Sequence, residues 1–75
     1  MFILDKHGTW ITNTENVSGI FVEDYGGGEK GVTVRLTDSN QVDIGHYYGD
    51  RAYYILKEIL KKAEVGSRVY VMPDE

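Results

Sequence analysis

Residues 31–63 read GVTVRLTDSNQVDIGHYYGDRAYYILKEILKKA, and two periodicities within that stretch decide the fold class. Val32, Val34 and Leu36 alternate with Thr33, Arg35 and Thr37, the two-residue repeat of a strand with one apolar and one wet face. Asp38-Ser39-Asn40 is a tight polar turn, after which Gln41-Val42-Asp43-Ile44-Gly45-His46-Tyr47 alternates again with Val42 and Ile44 inward. Two alternating strands across a short turn make a β-hairpin. From Ala52 the period changes. Ala52, Ile55, Leu56, Ile59, Leu60 and Ala63 fall at i, i+3, i+4, i+7, i+8 and i+11, the apolar stripe of an amphipathic helix. Gly49 or Asp50 can cap its start, Lys61 and Lys62 suit the negative end of its dipole, and Gly66 suits a left-handed C-cap.

The flanks extend this core pattern. Phe2-Ile3-Leu4 reads as a short first strand ended by an Asp5–Gly8 turn, and Trp10–Asn13 is β-prone before a turn over residues 13–16. Gly19–Glu23 is a strand with Ile20 and Val22 on one face and Phe21 on the other. A glycine-rich, flexible connection over residues 24–31 joins it to the hairpin. After the helix, Val69-Tyr70-Val71 reads as a closing strand that Pro73 stops. Trp10 and Phe21 are expected in the core. The expectation is one α+β domain over residues 1–75: a small, mostly antiparallel sheet of four to six strands with one C-terminal amphipathic helix followed by a short terminal strand.

At 75 residues the chain is one small domain. A domain of this size buries only about 60% of its unfolded surface, and small domains usually offset that with a disulfide, a metal, self-association or well-idealised local structure. Disulfides are excluded because there is no cysteine, and with two histidines, His7 and His46, no zinc spacing exists. A homo-oligomer is the expected remedy. No apolar run approaches the ~20 residues of a membrane span, and the apolar N-terminal run is too short for a signal peptide, so a cytoplasmic location is expected. The net charge of −4 is unevenly placed. Residues 1–49 carry three basic against seven acidic side chains, whereas residues 51–68 carry five basic against two acidic. That balance argues against general nucleic-acid coating, which wants a basic domain, and leaves room for an anionic partner on the helix.

The runs Met1-Phe2-Ile3, Ile11-x-Asn13, Ile20-x-Val22-Glu23, Val42-x-Ile44-Gly45-x-Tyr47, Ala52-x-x-Ile55-Leu56 and Val69-Tyr70-x-Met72-Pro73 cover nearly the whole chain. Together they resemble small, largely uncharacterised proteins of phages and prophages of Gram-positive bacteria. The glycine loop departs from that pattern, where a shorter acidic turn is expected. The resemblance implies a mobile-element accessory protein working in the host cytoplasm, and it implies no activity and no site residues.

Candidate chemistry is sparse. Gly26-Gly27-Gly28-Glu29-Lys30-Gly31 is no phosphate loop, since no Lys-Ser or Lys-Thr follows and the next element is a strand, so it reads as a hairpin tip. His7 with Asp5 and His46 with Asp43 are single pairs without a nucleophile or oxyanion site, so no enzyme is expected. In the Val42/Ile44 register His46 points inward. Tyrosine is the unusual component, with six in the chain and four around the helix start. Tyr54 lies opposite the core stripe, with Arg51, Lys57 and Lys61 at helical spacing from it, and Tyr47 and Tyr48 precede the helix. An aromatic plate beside positive charge suits a protein interface or a nucleotide-type ligand, and the plainer reading makes Tyr47 and Tyr53 core margin and the lysines a solvated face. The expected binding residues are therefore Tyr47, Tyr48, Arg51, Tyr54, Lys57 and Lys61, with no cofactor and no metal. The leading reading is a non-enzymatic module that binds a host protein, for example as a defence inhibitor. An oligomer that sequesters a nucleotide-type ligand and a single-strand nucleic-acid binder are the alternatives.

Overall fold

The computed structural model of the chain describes residues 1–74. Strands β1 (Phe2–Leu4), β2 (Ile11–Asn13), β3 (Val17–Gly26), β4 (Glu29–Leu36) and β5 (Gln41–Tyr48) precede helix α1 (Arg51–Glu64), and β6 (Val69–Val71) follows it. The α+β class, the hairpin and the amphipathic helix are all present. The single sheet is not. The strands divide into two three-stranded sheets, β2-β1-β6 and β3-β4-β5. A short 3-10 turn over Thr14–Asn16 separates them, capped by Asn13 Oδ1, which accepts the Glu15 N–H. This turn redirects the chain, so β3 cannot pair beside β2.

The β3-β4-β5 sheet is an antiparallel meander. The connection expected to be flexible is a tight turn: Gly26 pairs with Glu29, and Gly27 and Gly28 between them sit at φ of 62° and 82°. Two adjacent positive φ values define the turn that matches strand twist in a two-residue hairpin, and glycine adopts them without strain. The β2-β1-β6 sheet is assembled from distant segments, with β1 antiparallel to β2 and parallel to β6. The helix ends in a Schellman cap: the N–H of Ser67 donates to Lys62 O, that of Gly66 donates to Ala63 O, and Gly66 has φ 77°.

The core lies between the two sheets and the helix. Ile3 and Tyr70 come from the first sheet, Val32, Val34, Ile44 and Tyr47 from the second, Ala52, Ile55 and Ile59 from the helix, with Met72 beyond β6. Two hydroxyls tie the layers. Tyr47 donates to Pro73 O at 2.7 Å, and Tyr70 donates to Glu58 Oε1 at 2.7 Å. Desolvation, then the Glu58 hydrogen bond, pushes the Tyr70 phenol well above its ordinary pKa, so it stays a donor.

Several side chains lie elsewhere than expected. Trp10 precedes β2 and is half exposed, and its indole N–H donates to Thr12 Oγ1 at 3.2 Å. Phe21 occupies the outer face of β3, where the Arg35 guanidinium stacks 5.4 Å from its ring centre. Of the helical stripe, Ala52, Ile55 and Ile59 are buried, Leu56 is half-buried, and Leu60 and Ala63 are exposed. His46 faces outward, for a reason that lies in β5. Val32 pairs with Gly45 and Thr33 with Asp43, which leaves Ile44 as a bulge residue. Beyond the bulge the alternation is inverted, so Tyr47 turns in and His46 turns out.

Gly45 is a consequence of that inversion. A Cβ built there would lie 2.7 Å from Tyr47 Cε2 and 2.9 Å from its hydroxyl. Gly45→Ala is therefore expected to displace the Tyr47 ring and cost about 1–3 kcal/mol as overpacking. Gly19→Ala, with nothing within 4 Å of the added methyl, should stay within about 0.5 kcal/mol. Urea unfolding of both variants measures the difference.

Candidate functional site

The exposed flank of α1 carries most of the expected binding residues. Tyr54 is 61% and Tyr48 72% exposed, and Arg51, Lys57 and Lys61 are exposed around Tyr54. Tyr47 meets Tyr48 and Arg51 around a depression of about 490 Å³ at the helix start, but only from below. At 3% exposure it is a core residue, because the Ile44 bulge turns it inward, so it leaves the candidate surface. Tyr53, on the Leu60 side of the helix, is 44% exposed.

Beside this flank lies an apolar groove that the sequence reading did not anticipate. Leu56, Leu60 and Ala63 form its helical wall, Val17 and Ile20 its β3 wall, Met1 closes one end, and Lys57 stands at the rim. Its volume is about 530 Å³, and it is open along Leu60, which is 60% exposed. The signal was present in the stripe. Six apolar positions sweep a wider arc than a helix of this length can bury against one short sheet, and the surplus arc became a groove wall. The groove continues past Met1 and Ala63 into a shallower depression reaching Phe2, Gly66 and Arg68.

A second cluster occupies the outer face at the β3–β4 tip. His46 Nδ1 lies 2.7 Å from Glu29 Oε1, and His46 Nε2 lies 2.7 Å from Asp43 Oδ2. The Tyr25 hydroxyl donates to the same Asp43 oxygen, and its ring lies 5.1 Å from the imidazole. Two bulges aim these groups: Tyr25 is the unpaired residue between Asp24 and Gly26, and His46 follows the Ile44 bulge. Gly31 keeps the space between them, since a Cβ there would lie 2.7 Å from the Tyr25 hydroxyl and from Asp43 Oδ2. The expected pair of His46 and Asp43 is thus real. His7 and Asp5 line a depression of about 500 Å³ with Trp10 and this pair. Among the described residues no group of three or more His, Cys, Asp or Glu is placed to hold a metal ion, and no helix is long and apolar enough to cross a membrane.

The geometry of the cluster favours the protonated imidazole. A neutral imidazole offers one donor only, so two carboxylates at hydrogen-bond distance call for protons on both nitrogens. The Glu29 hydrogen bond, helped by Asp43 and opposed by desolvation, raises the His46 pKa above its ordinary 6.5. Tyr25, held mainly by its hydrogen bond to Asp43, is likewise raised and remains a donor.

No family model, curated protein or solved structure matches the chain.

The raised His46 pKa carries a sign. The folded state holds the proton more tightly than the unfolded chain, so the stabilisation is complete below about pH 6.5 and is lost as pH rises through the folded pKa. Thermal melting followed from pH 6 to 9 should show wild type losing stability with rising pH, by less than about 1 kcal/mol because the pair is half exposed. His46→Gln should flatten that slope.

Proposed function

We propose that the chain is a non-enzymatic protein-binding module whose working surface is the groove between α1 and β3 with the basic, tyrosine-bearing flank beside it. The partner that fits is an amphipathic segment of another protein, apolar on the side that enters and acidic on the side that faces the helix. One observation carries this reading: an open apolar groove has Lys57 at its rim and Lys61 one turn on, in a chain whose net charge is −4. Tyr54, 61% exposed, offers rigid contact area on the same helix as Lys57, while Tyr48 lines a separate depression with Arg51 at the helix start. Arg51 stands on the same flank. A nucleotide-type ligand fits less well, because the groove walls are aliphatic and a nucleotide needs several convergent donors. The resemblance to mobile-element accessory proteins makes the partner a host protein, with interference in a host defence as the outcome.

Peptide display on the immobilised chain tests the reading. Selected peptides of roughly 16 residues should share apolar positions at i, i+3 or i+4 and i+7, with Asp or Glu between them. Leu60→Glu, at an exposed position, should melt like wild type and bind the selected peptides at least about tenfold more weakly. Peptides that lack both features, or equal binding by Leu60→Glu, would overturn the proposal.

A further inference from the structure

The first sheet is apolar on the wrong side. Ile3, Thr12 and Tyr70 form one row across β1, β2 and β6 and face the core at 1%, 4% and 5% exposure. The residues on either side of them point outward. Leu4, Ile11 and Val71 form one outer row, and Phe2, Asn13 and Val69 the other. Five of these six side chains are apolar, against two of three on the inner row, and Phe2, Ile11, Val69 and Val71 are between 46% and 61% exposed. Uninterrupted apolar runs such as Phe2-Ile3-Leu4 are the pattern of strands covered on both faces. One covering layer is the core described above. Among the described residues nothing covers the other face.

We propose that the outer face of the β2-β1-β6 sheet is a self-association surface that seats a second copy of the same chain. The charge distribution selects that occupant. None of the six outward side chains is charged, although the chain carries a net −4. Two copies meeting on a two-fold axis bring identical patches together, so a patch made of neutral side chains lets this acidic chain approach itself without opposing like charges. A partner recognised by charge would be drawn to the basic helix instead. Geometry agrees, since two apolar sheet faces pack about 10 Å apart with their side chains interleaved. A stable interface takes about 800 Å² from each partner. The six side chains form its centre, and the depression that adjoins Phe2, reaching Met1, Ala63 and Gly66, supplies a rim on which Arg68 is the charged side chain. The second copy also adds apolar burial to a domain whose core is small.

Sedimentation equilibrium tests the proposal, with concentrations spanning roughly 1–100 µM because dimer stability is concentration-dependent. Wild type should show twice the mass of one chain at the upper end. Ile11→Lys with Val71→Lys, both at exposed positions, should sediment as a monomer with an unchanged far-UV circular dichroism spectrum. Should that variant unfold, dilution of wild type followed by amide NMR decides: shifts should change on β1, β2 and β6 and stay constant on β4. A wild type that remains monomeric throughout would overturn the inference. So would a dimer indifferent to the lysines, or dilution shifts confined to the α1–β3 groove. Peptide binding at that groove is measured separately, so its failure leaves this result unaffected.

Discussion

Ile44 has no partner on β4, and much of the molecule follows from that one unpaired residue. Strand β5 enters with Val42 and Ile44 inward and, after the bulge, leaves with Tyr47 inward and His46 outward. Without the shift, His46 would be driven into an apolar core at a desolvation cost of several kcal/mol unless it gave up its charge. Tyr47 would be left on the outer face. With it, the Tyr47 hydroxyl reaches Pro73 O and pins the segment after β6, while the imidazole meets Glu29 and Asp43 in solvent. Gly45 and Gly31 are the spaces this arrangement requires, one under the Tyr47 ring and the other under the Tyr25 hydroxyl.

The same shift links the hairpin tip to the helix start. Glu29 opens β4 next to the Gly27-Gly28 turn, and Gly49, just past β5, donates its N–H to Gly28 O at 2.8 Å. The β3–β4 tip is therefore fastened on one side by a backbone bond and on the other by the His46 imidazole between two carboxylates. A glycine-rich tip would otherwise be among the first parts to open, since it buries little apolar surface. His46 restrains it with an interaction that changes with pH, which gives the most exposed part of the meander a conditional anchor.

Three surfaces with different chemistry result, and each suits a different contact. The outer face of β2-β1-β6 is neutral and apolar, the α1 flank is basic and aromatic beside an apolar groove, and the outer face of β3-β4-β5 is acidic and polar. Segregation of this kind lets a small domain hold one contact by burial and steer another by charge, because the two effects differ in range and in their response to salt.

The local elements were legible in the residues alone. Alternation over residues 31–36, the 3.6-residue stripe from Ala52 and the Gly66 cap depend on near neighbours, and the strand, the helix and that cap stand in the structure, although Asp50 makes no side-chain cap bond and Thr33 is buried. The exposure of Tyr54, Arg51, Lys57 and Lys61 was legible for the same reason, since a helix places i+3 and i+7 by geometry. What the sequence could not determine depends on pairing between distant segments. The parallel union of β1 with β6 across sixty-odd residues, and with it the division into two sheets, follows from which apolar faces best cover one another. The fates of Trp10, Leu60, Tyr47 and His46 turned on the same contest. A single bulge reverses every side chain beyond it, and a bulge leaves no mark in a pattern of period two until the partner strand is in place.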